Sequence, residues 1–314
     1  MINDRKMSKF VRVIISVILL VILFKLIDWS IFLEQIARVS LLPAIITIPL
    51  FFLGVFFSVL RWRLILDFLG IHISKKVAFR LYLEGSFLNN FIPTSVGGDI
   101  YKYFILSRLQ PLKKKEAFVS LFFERGAGLL TFFVLNLLLS IFFYRLIFEH
   151  KALFLFEVLI FIVFLAFLFF LFSIHNSLKI GRIIKKYIDK FEFSSIPLNW
   201  VNKVWVLPAV IYSVFFTIVI VAIRFSYLLA LGASFPIMHL LFFTTIIQLA
   251  GVLPVSLNSI GISEGLIVFL YRLVGISPEI AFAVAILERF IMIVASSVGA
   301  TTFHKKYRHD LHVS

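Results

Sequence analysis

Two dipeptides hold the side chains that are hardest to reconcile with their surroundings. Glu124-Arg125 and Glu288-Arg289 each lie inside a run of apolar residues. Arg125 stands eight residues after Ala117, where its run begins, or about 12 Å along a helix rising 1.5 Å per residue. Glu288 stands nine residues after Glu279, about 13 Å from the other face by the same rise. Half a hydrocarbon core is about 15 Å, so both pairs converge on the bilayer midplane. An ionisable residue at that depth marks a substrate or ion pathway by default. Arg125 and Arg289 offer planar forks suited to phosphate or carboxylate. Glu124 and Glu288 would hold those arginines in an empty site, or carry protons. A single pair reads as a staple between helices, because structural ion pairs also occur. Two pairs, each following a broken helix, point to a binding site.

The breaks are the elements that must position these pairs. The first runs Asn89-Asn90-Phe91-Ile92-Pro93-Thr94-Ser95-Val96-Gly97-Gly98-Asp99. The second runs Leu253-Pro254-Val255-Ser256-Leu257-Asn258-Ser259-Ile260-Gly261-Ile262-Ser263-Glu264-Gly265. Irregular backbone at membrane depth survives only where protein encloses it, so both stretches are expected to line a cavity. Arms beginning at Asp99 and Ser263 would point helix N-termini into that cavity, which favours an anion. Asn89, Asn90, Thr94, Ser95, Ser256, Asn258 and Ser259 would hydrogen-bond sugar or glycerol hydroxyls. Gly97-Gly98 reads as a tight reversal. A nucleotide loop would need a following Lys-Ser/Thr after a strand, and there is none.

The breaks and pairs recur at matched spacing. Pro93 precedes Glu124 by 31 residues and Pro254 precedes Glu288 by 34. Asp99 precedes Glu124 by 25 and Glu264 precedes Glu288 by 24. Interrupted helices in matching positions of two halves are the best sequence pointer to a transporter site near the midplane.

The rest of the chain is built to dissolve in lipid. It is 61% hydrophobic with a mean hydropathy of +1.07, against roughly half apolar in a globular protein. Its 40 Phe fall in continuous rather than alternating runs, which fits a helix bundle and not a barrel. The net charge of +15 is gathered between apolar runs, the pattern of cytoplasmic loops against anionic lipid rather than of nucleic-acid binding. The absence of cysteine excludes disulfides, thiolate metal sites, iron–sulfur clusters and Cys nucleophiles. His304, His309 and His312 sit in a basic tail where no metal site is expected. No cofactor is expected.

These signals predict an all-α polytopic membrane protein, with about six full spans plus two re-entrant helical hairpins arranged as an inverted repeat. The spans are Phe10–Ile27, Leu41–Leu66, Ala117–Phe143, Phe154–Phe172, Val206–Ala230 and Glu279–Phe303. The first is read as uncleaved, because Lys25-Leu26-Ile27-Asp28-Trp29 stands where a signal peptide would show small residues. The hairpin arms are Val77–Ile92 with Ile100–Leu109, and Leu240–Leu253 with Ile262–Val274. Each is too short for the roughly 20 residues of a span. Basic residues flank the first hairpin and none flank the second, so the two are expected to open on opposite faces. Arg145–Lys151 reads as a short outer loop and His175–Lys203 as a basic connector on the inner leaflet. Arg61-Trp62-Arg63 reads as an interfacial anchor, and Arg224 as a side chain snorkelling from near its helix end. The whole chain, 1–314, is expected to form one integral domain. Its parts are a first span at 10–27, a first repeat at 41–143, a span and connector at 152–203, a second repeat at 206–303 and a tail at 304–314. Both termini are expected on the cytoplasmic side of the cell membrane.

Asn90-Phe91-Ile92-Pro93, Gly97-Gly98-Asp99, Glu124-Arg125, Leu253-Pro254 and Gly261-Ile262-Ser263-Glu264-Gly265 occur in that order, and the set resembles the transmembrane, flippase-like domain of lysylphosphatidylglycerol synthases. The resemblance covers roughly residues 10–303. It implies movement of a modified or glycosylated lipid between leaflets. The family's second break is usually richer in glycine, with an Arg-Glu pair, where Ser256-Leu257-Asn258-Ser259 and Ser263-Glu264 stand here. That difference leaves the choice of headgroup open. The full synthases add a soluble aminoacyl-transferase domain that this chain lacks, so the resemblance implies no aminoacylation by this chain and no enzyme activity.

The reading is a flippase that takes an anionic phospholipid or glycolipid headgroup through a midplane cavity. Its candidate substrate-binding residues are Arg125, Arg289, Glu124, Glu288, Asn89, Asn90, Pro93, Gly97, Gly98, Asp99, Pro254, Asn258, Ser259, Gly261 and Glu264. Two alternatives stay open: a secondary transporter of a soluble anion, and a non-catalytic membrane partner of a lipid-modifying enzyme or glycosyltransferase. A membrane glycosyltransferase is a weaker rival, because the acidic residues sit beside arginines inside the bilayer.

Overall fold

The computed structural model of the chain describes residues 2–91, 96–175, 205–252 and 256–303. Pro93, Pro254, nearly all of the basic connector and the C-terminal tail lie outside these described residues. Among them all regular structure is helical. In order the helices are α1 (Ile2–Leu26), α2 (Trp29–Ala37), α3 (Leu41–Phe68), α4 (Lys75–Phe91), α5 (Gly97–Leu109), α6 (Lys114–Phe142), α7 (Tyr144–Glu149), α8 (Lys151–His175), α9 (Val206–Ala230), α10 (Ile237–Val252), α11 (Ile262–Arg272) and α12 (Pro278–Ser296). Helix α12 runs on into a 3₁₀ turn, Ser297–Thr302.

Among the described residues five helices are long and apolar enough to cross a bilayer: α3, α6, α8, α9 and α12 with its 3₁₀ extension. A sixth crossing exists only if α1 and α2 together make one span. The sequence reading treats Phe10–Ile27 as a full span, whereas the apolar stretch Val13–Leu26 turns through 86° into α2. Asp28 drives the turn. Its Oδ1 accepts hydrogen bonds from the backbone N–H of Ser30 at 2.9 Å and Ile31 at 3.2 Å. An N-cap of this kind starts a new helix where the old one would have continued. The expected outer loop at Arg145–Lys151 is largely a short helix, α7.

Both hairpins form. α4 packs on α5, and α10 on α11. In the first, Gly98 lies against the carbonyl of Gly85, and a Cβ at Gly98 would overlap that oxygen. The most extensive helix contact among the described residues joins α3 to α9. Apolar side chains gather into two main cores. One, with Val59, Trp62, Leu66 and Leu81, lies among α3, α4, α5 and α6. The larger, with Phe242, Phe243, Leu270 and Phe282, lies among α9–α12, α6 and α8. The outer surface carries exposed Leu41, Leu42, Ile141, Phe142, Leu207 and Phe290. Exposed apolar area on this scale needs a lipid solvent.

The expected anchor at Arg61-Trp62-Arg63 is corrected by packing. Arg61 and Trp62 are buried, and Trp62 Nε1 donates to Ser120 Oγ at 3.2 Å. α3 extends to Phe68 and turns this face onto α6, so the aromatic ring fills the bundle rather than the interface.

Gly98→Ala should cost about 1–3 kcal/mol through overpacking, read as a lower melting temperature of the detergent-purified protein. Gly126, in α6, has nothing within 4 Å of its would-be Cβ. Gly126→Ala should melt at or above the wild-type temperature.

Candidate functional site

Helix α5 begins with Gly97 and Gly98, both buried, and places Asp99 in its first turn. A carboxylate there meets the positive end of the helix dipole. Asp99 also pairs with Lys102 Nζ at 2.9 Å and with Arg125. Lys102 reaches Glu124 Oε2 at 3.3 Å, and its ammonium sits over the rings of Tyr82 and Trp62, 4.1 and 5.0 Å from the centroids. Desolvated aromatic faces stabilise a cation. Glu124 Oε1 accepts from Arg61 Nη2 at 3.2 Å, and Arg61 Nη1 donates to Ser213 Oγ at 3.0 Å. Arg61 thus ties α3 to both α6 and α9.

A second set of ion pairs joins α9, α11 and α12. Glu264, in the first turn of α11, accepts from Arg289 Nε at 2.6 Å through Oε1 and from the Gly261 N–H at 2.7 Å through Oε2. Glu288 takes a two-pronged contact from Arg224, Nε to Oε2 at 3.0 Å and Nη2 to Oε1 at 3.1 Å. Arg224 is 1% exposed. The sequence reading has it snorkelling to the surface, but the inward-facing carboxylate of Glu288 offers a partner that water would have to replace.

The two sets correspond by spacing. Asp99 and Arg125 are 26 residues apart, Glu264 and Arg289 are 25. Arg61 and Glu124 are 63 apart, Arg224 and Glu288 are 64. In neither set does the Glu pair with the Arg beside it in sequence. Consecutive helical residues point to different faces, so each Glu-Arg dipeptide reaches two different helices instead. Arg61 and Arg224 are therefore site residues that the sequence reading missed. Their signal was available, since each precedes its glutamate by a near-identical interval.

The breaks touch. Asn258 Nδ2 donates to the backbone carbonyl of Asn89 at 3.0 Å, while Asn89 Oδ1 accepts from the Gly98 N–H at 2.7 Å. Asn90 Nδ2 donates to Ser296 Oγ at 2.7 Å, and Ser259 Oγ to the Gly251 carbonyl at 2.6 Å. Asn258, Ser259 and Gly261 have φ of 45°, 58° and 86°, a left-handed course that Asn tolerates and Gly takes freely. Asn89, Asn258 and Ser259 thus bond backbone groups beside the breaks, as hydrocarbon surroundings demand, while the buried Ser256 hydroxyl has no hydrogen-bond partner among the described residues.

A cavity of about 280 Å³ opens between the halves. Its polar wall is Thr47 and Ser58 of α3, Tyr82 and Ser86 of α4, Tyr227 of α9, Gln248 of α10 and Glu288 of α12. Glu288 is the charged residue on that wall. Arg125, Arg289, Asp99 and Glu264 do not line it; they fasten the first turns of α5 and α11. Apart from Glu288, no cavity residue was identified from sequence. Isolated Thr, Ser, Tyr and Gln in apolar runs carry no spacing that separates cavity from core.

Removing Arg224 would leave Glu288 without its cation. Arg224→Ala should destabilise by about 3–5 kcal/mol, as breaking a buried pair does. The Arg224→Ala/Glu288→Ala double variant should lose less than the sum of the two single variants. Thermal melts of the four proteins in one detergent measure both.

Residues 9–299 match the family described as "Lysylphosphatidylglycerol synthase TM region". The UPF0104 membrane protein MJ1595 of Methanocaldococcus jannaschii is 24% identical over 259 residues, 76% of each chain. No solved structure matches. Because the family match spans nearly the whole chain, this multi-pass membrane protein belongs to the family of the lysylphosphatidylglycerol synthase transmembrane region.

Proposed function

We propose that the protein moves the polar headgroup of an anionic lipid between leaflets through the cavity beside Glu288. The observation that carries this reading is a largely apolar cavity, walled in part by Phe51, Val55, Phe216 and Ile291, into which a few polar side chains of α3, α4, α9, α10 and α12 project. At about 280 Å³ it approaches the roughly 300–1,000 Å³ of ligand sites. That is room for a headgroup, with acyl chains left in the bilayer. The hydroxyls of Thr47, Ser58, Tyr82, Ser86 and Tyr227 and the amide of Gln248 suit a glycerol- or sugar-bearing headgroup. The Arg224–Glu288 pair adds a strong dipole without a net charge. Arg125 and Arg289 lie off the cavity wall, paired with Asp99 and Glu264.

The doubled ion-pair wiring and the contact between Asn258 and Asn89 support an inverted repeat whose halves rock about the cavity. Repeats of this kind alternate access by moving one half against the other around a fixed site. Family membership supports a lipid as cargo over a soluble anion. The second reading, a soluble-anion transporter, is kept as an outcome of the test.

The lack of cysteine makes the test direct, because one introduced thiol is the only one. A Ser86→Cys variant is labelled in the cavity with a bulky maleimide and reconstituted in liposomes containing headgroup-labelled fluorescent phosphatidylglycerol. Leaflet exchange should fall about tenfold or more, a barrier increase of at least 1.4 kcal/mol. The same label on Leu112→Cys, at a position 98% exposed, should leave exchange unchanged. Exchange that survives the cavity label rules out this route. Exchange by neither unlabelled protein, with uptake of aqueous glycerol phosphate by both, selects the soluble-anion transporter.

A further inference from the structure

Inside the spans, Glu157 is held without a cation among the described residues, unlike Asp99, Glu124, Glu264 and Glu288. Asp99, Glu124, Glu264 and Glu288 each have an arginine or lysine partner. Glu157, six residues into α8, has no ion pair among the described residues. Its Oε2 accepts from Asn136 Nδ2 at 2.7 Å and shares the Ser140 hydroxyl, 3.1 Å away, with the Asn136 backbone carbonyl at 2.8 Å; both residues are on α6. Its Oε1 is buried without a hydrogen-bond partner. Thr245 of α10 completes the group. Its hydroxyl lies 2.8 Å from Asn136 Oδ1 and 2.7 Å from the Phe242 carbonyl. Asn136 and Thr245 are fully buried.

We propose that Glu157 is a proton-binding site, and that the Asn136 amide switches with its protonation state. The chemistry of the group favours a proton over a metal cation. Glu157 is the one carboxylate of this group, and no cluster of three or more acidic or His ligands occurs among the described residues, whereas a hard cation is held by several converging oxygens. The network satisfies either charge state. With Glu157 ionised, Asn136 donates to Oε2 and Thr245 donates to Asn136 Oδ1. With a proton taken from water, the Glu157 hydroxyl donates to Asn136 Oδ1 of a flipped amide. The Asn136 NH₂ then donates to Thr245 Oγ1, and Thr245 donates to the Phe242 carbonyl.

Few charges compete for this carboxylate. α6 presents Asn136 and Ser140, and α10 presents Thr245 and, six residues earlier, His239, whose ring packs on Phe143 at 4.6 Å. α7 carries Arg145 and Glu149, and His150 and Lys151 lead into α8. None of these forms an ion pair with Glu157 among the described residues. From Lys151 to Glu157 is about 9 Å of helix, a short path from the helix end.

The site sits at the joint between α6 and α10, and α10 also sends Gln248 into the cavity. Reversing the Asn136–Thr245 hydrogen bond therefore acts on a cavity-lining arm. That consequence rests on the lipid-transport reading; the proton site does not.

Infrared difference spectroscopy of the protein in nanodiscs, titrated from alkaline to acidic buffer, tests the site without reference to transport. A protonated-carboxyl band should appear on acidification in wild type and be lost in Glu157→Gln. In Ser140→Ala, which keeps the acid, the band's midpoint should move to more alkaline pH, because a donor to the ionised form is gone. A wild-type band that persists in Glu157→Gln overturns the proposal, as does a Ser140→Ala titration identical to wild type. A band that shrinks only when sodium is added selects a cation site and equally overturns it. If the infrared result holds while lipid exchange fails, the proton site stands and the lipid reading falls.

Discussion

A charge inside hydrocarbon has to bring its partner with it. Scales from helix insertion put a lone Arg, Lys or Asp at the helix centre at about 2.5–3.5 kcal/mol, and other treatments put it higher. The structure meets that constraint by pairing across helices rather than along them. Arg61 to Glu124 and Ser213 joins α3, α6 and α9. Arg224 to Glu288 joins α9 and α12. Arg289 to Glu264 joins α12 and α11. The ion pairs therefore fix which helices are neighbours, while the apolar cores around them supply contact without direction.

The same constraint governs the backbone. Each hairpin breaks its helix where N–H and C=O groups lose their intrahelical partners, and hydrocarbon offers no substitute. Asn89 receives the Gly98 N–H, Glu264 receives the Gly261 N–H, and Asn258 reaches across to the Asn89 carbonyl. The polar residues of the breaks are largely committed to this work. The cavity is left to apolar helix faces, a few hydroxyls and an amide, and one carboxylate that already holds an arginine. This division explains why the most conspicuous sequence motifs and the cavity wall overlap only at Glu288.

The distribution of counter-charges separates two kinds of intramembrane acid. Those beside guanidinium groups are paired from one helix to another and behave as joints. Glu157, held by an amide and a hydroxyl, is matched to a change of charge. A transporter without a nucleotide-binding loop needs some coupling device if it moves its cargo uphill, and a proton site on a helix joint is a compact form of one. The network extends from α8 through α6 to α10, so the coupling would run through contacts already present.

Much of this was legible in the sequence. Hydropathy and the continuous Phe-rich runs determine that the chain is a helical membrane protein, because only a helix satisfies its own backbone over such a length. Pro and Gly in short apolar arms determine that α4–α5 and α10–α11 are broken, and α9 begins and ends at the residues expected. Tertiary structure decided what sequence adjacency disguised. Glu124 and Arg125 are neighbours in the chain and strangers in space, since helical residues one apart face different ways. Whether Arg224 snorkels or pairs depends on what α12 presents to it, and whether Trp62 anchors or packs depends on the turn of α3 against α6. Which Ser, Thr and Tyr line a cavity rather than a core depends on the gap left when two halves meet. Such a gap is a property of packed surfaces, and no single strand of sequence contains it.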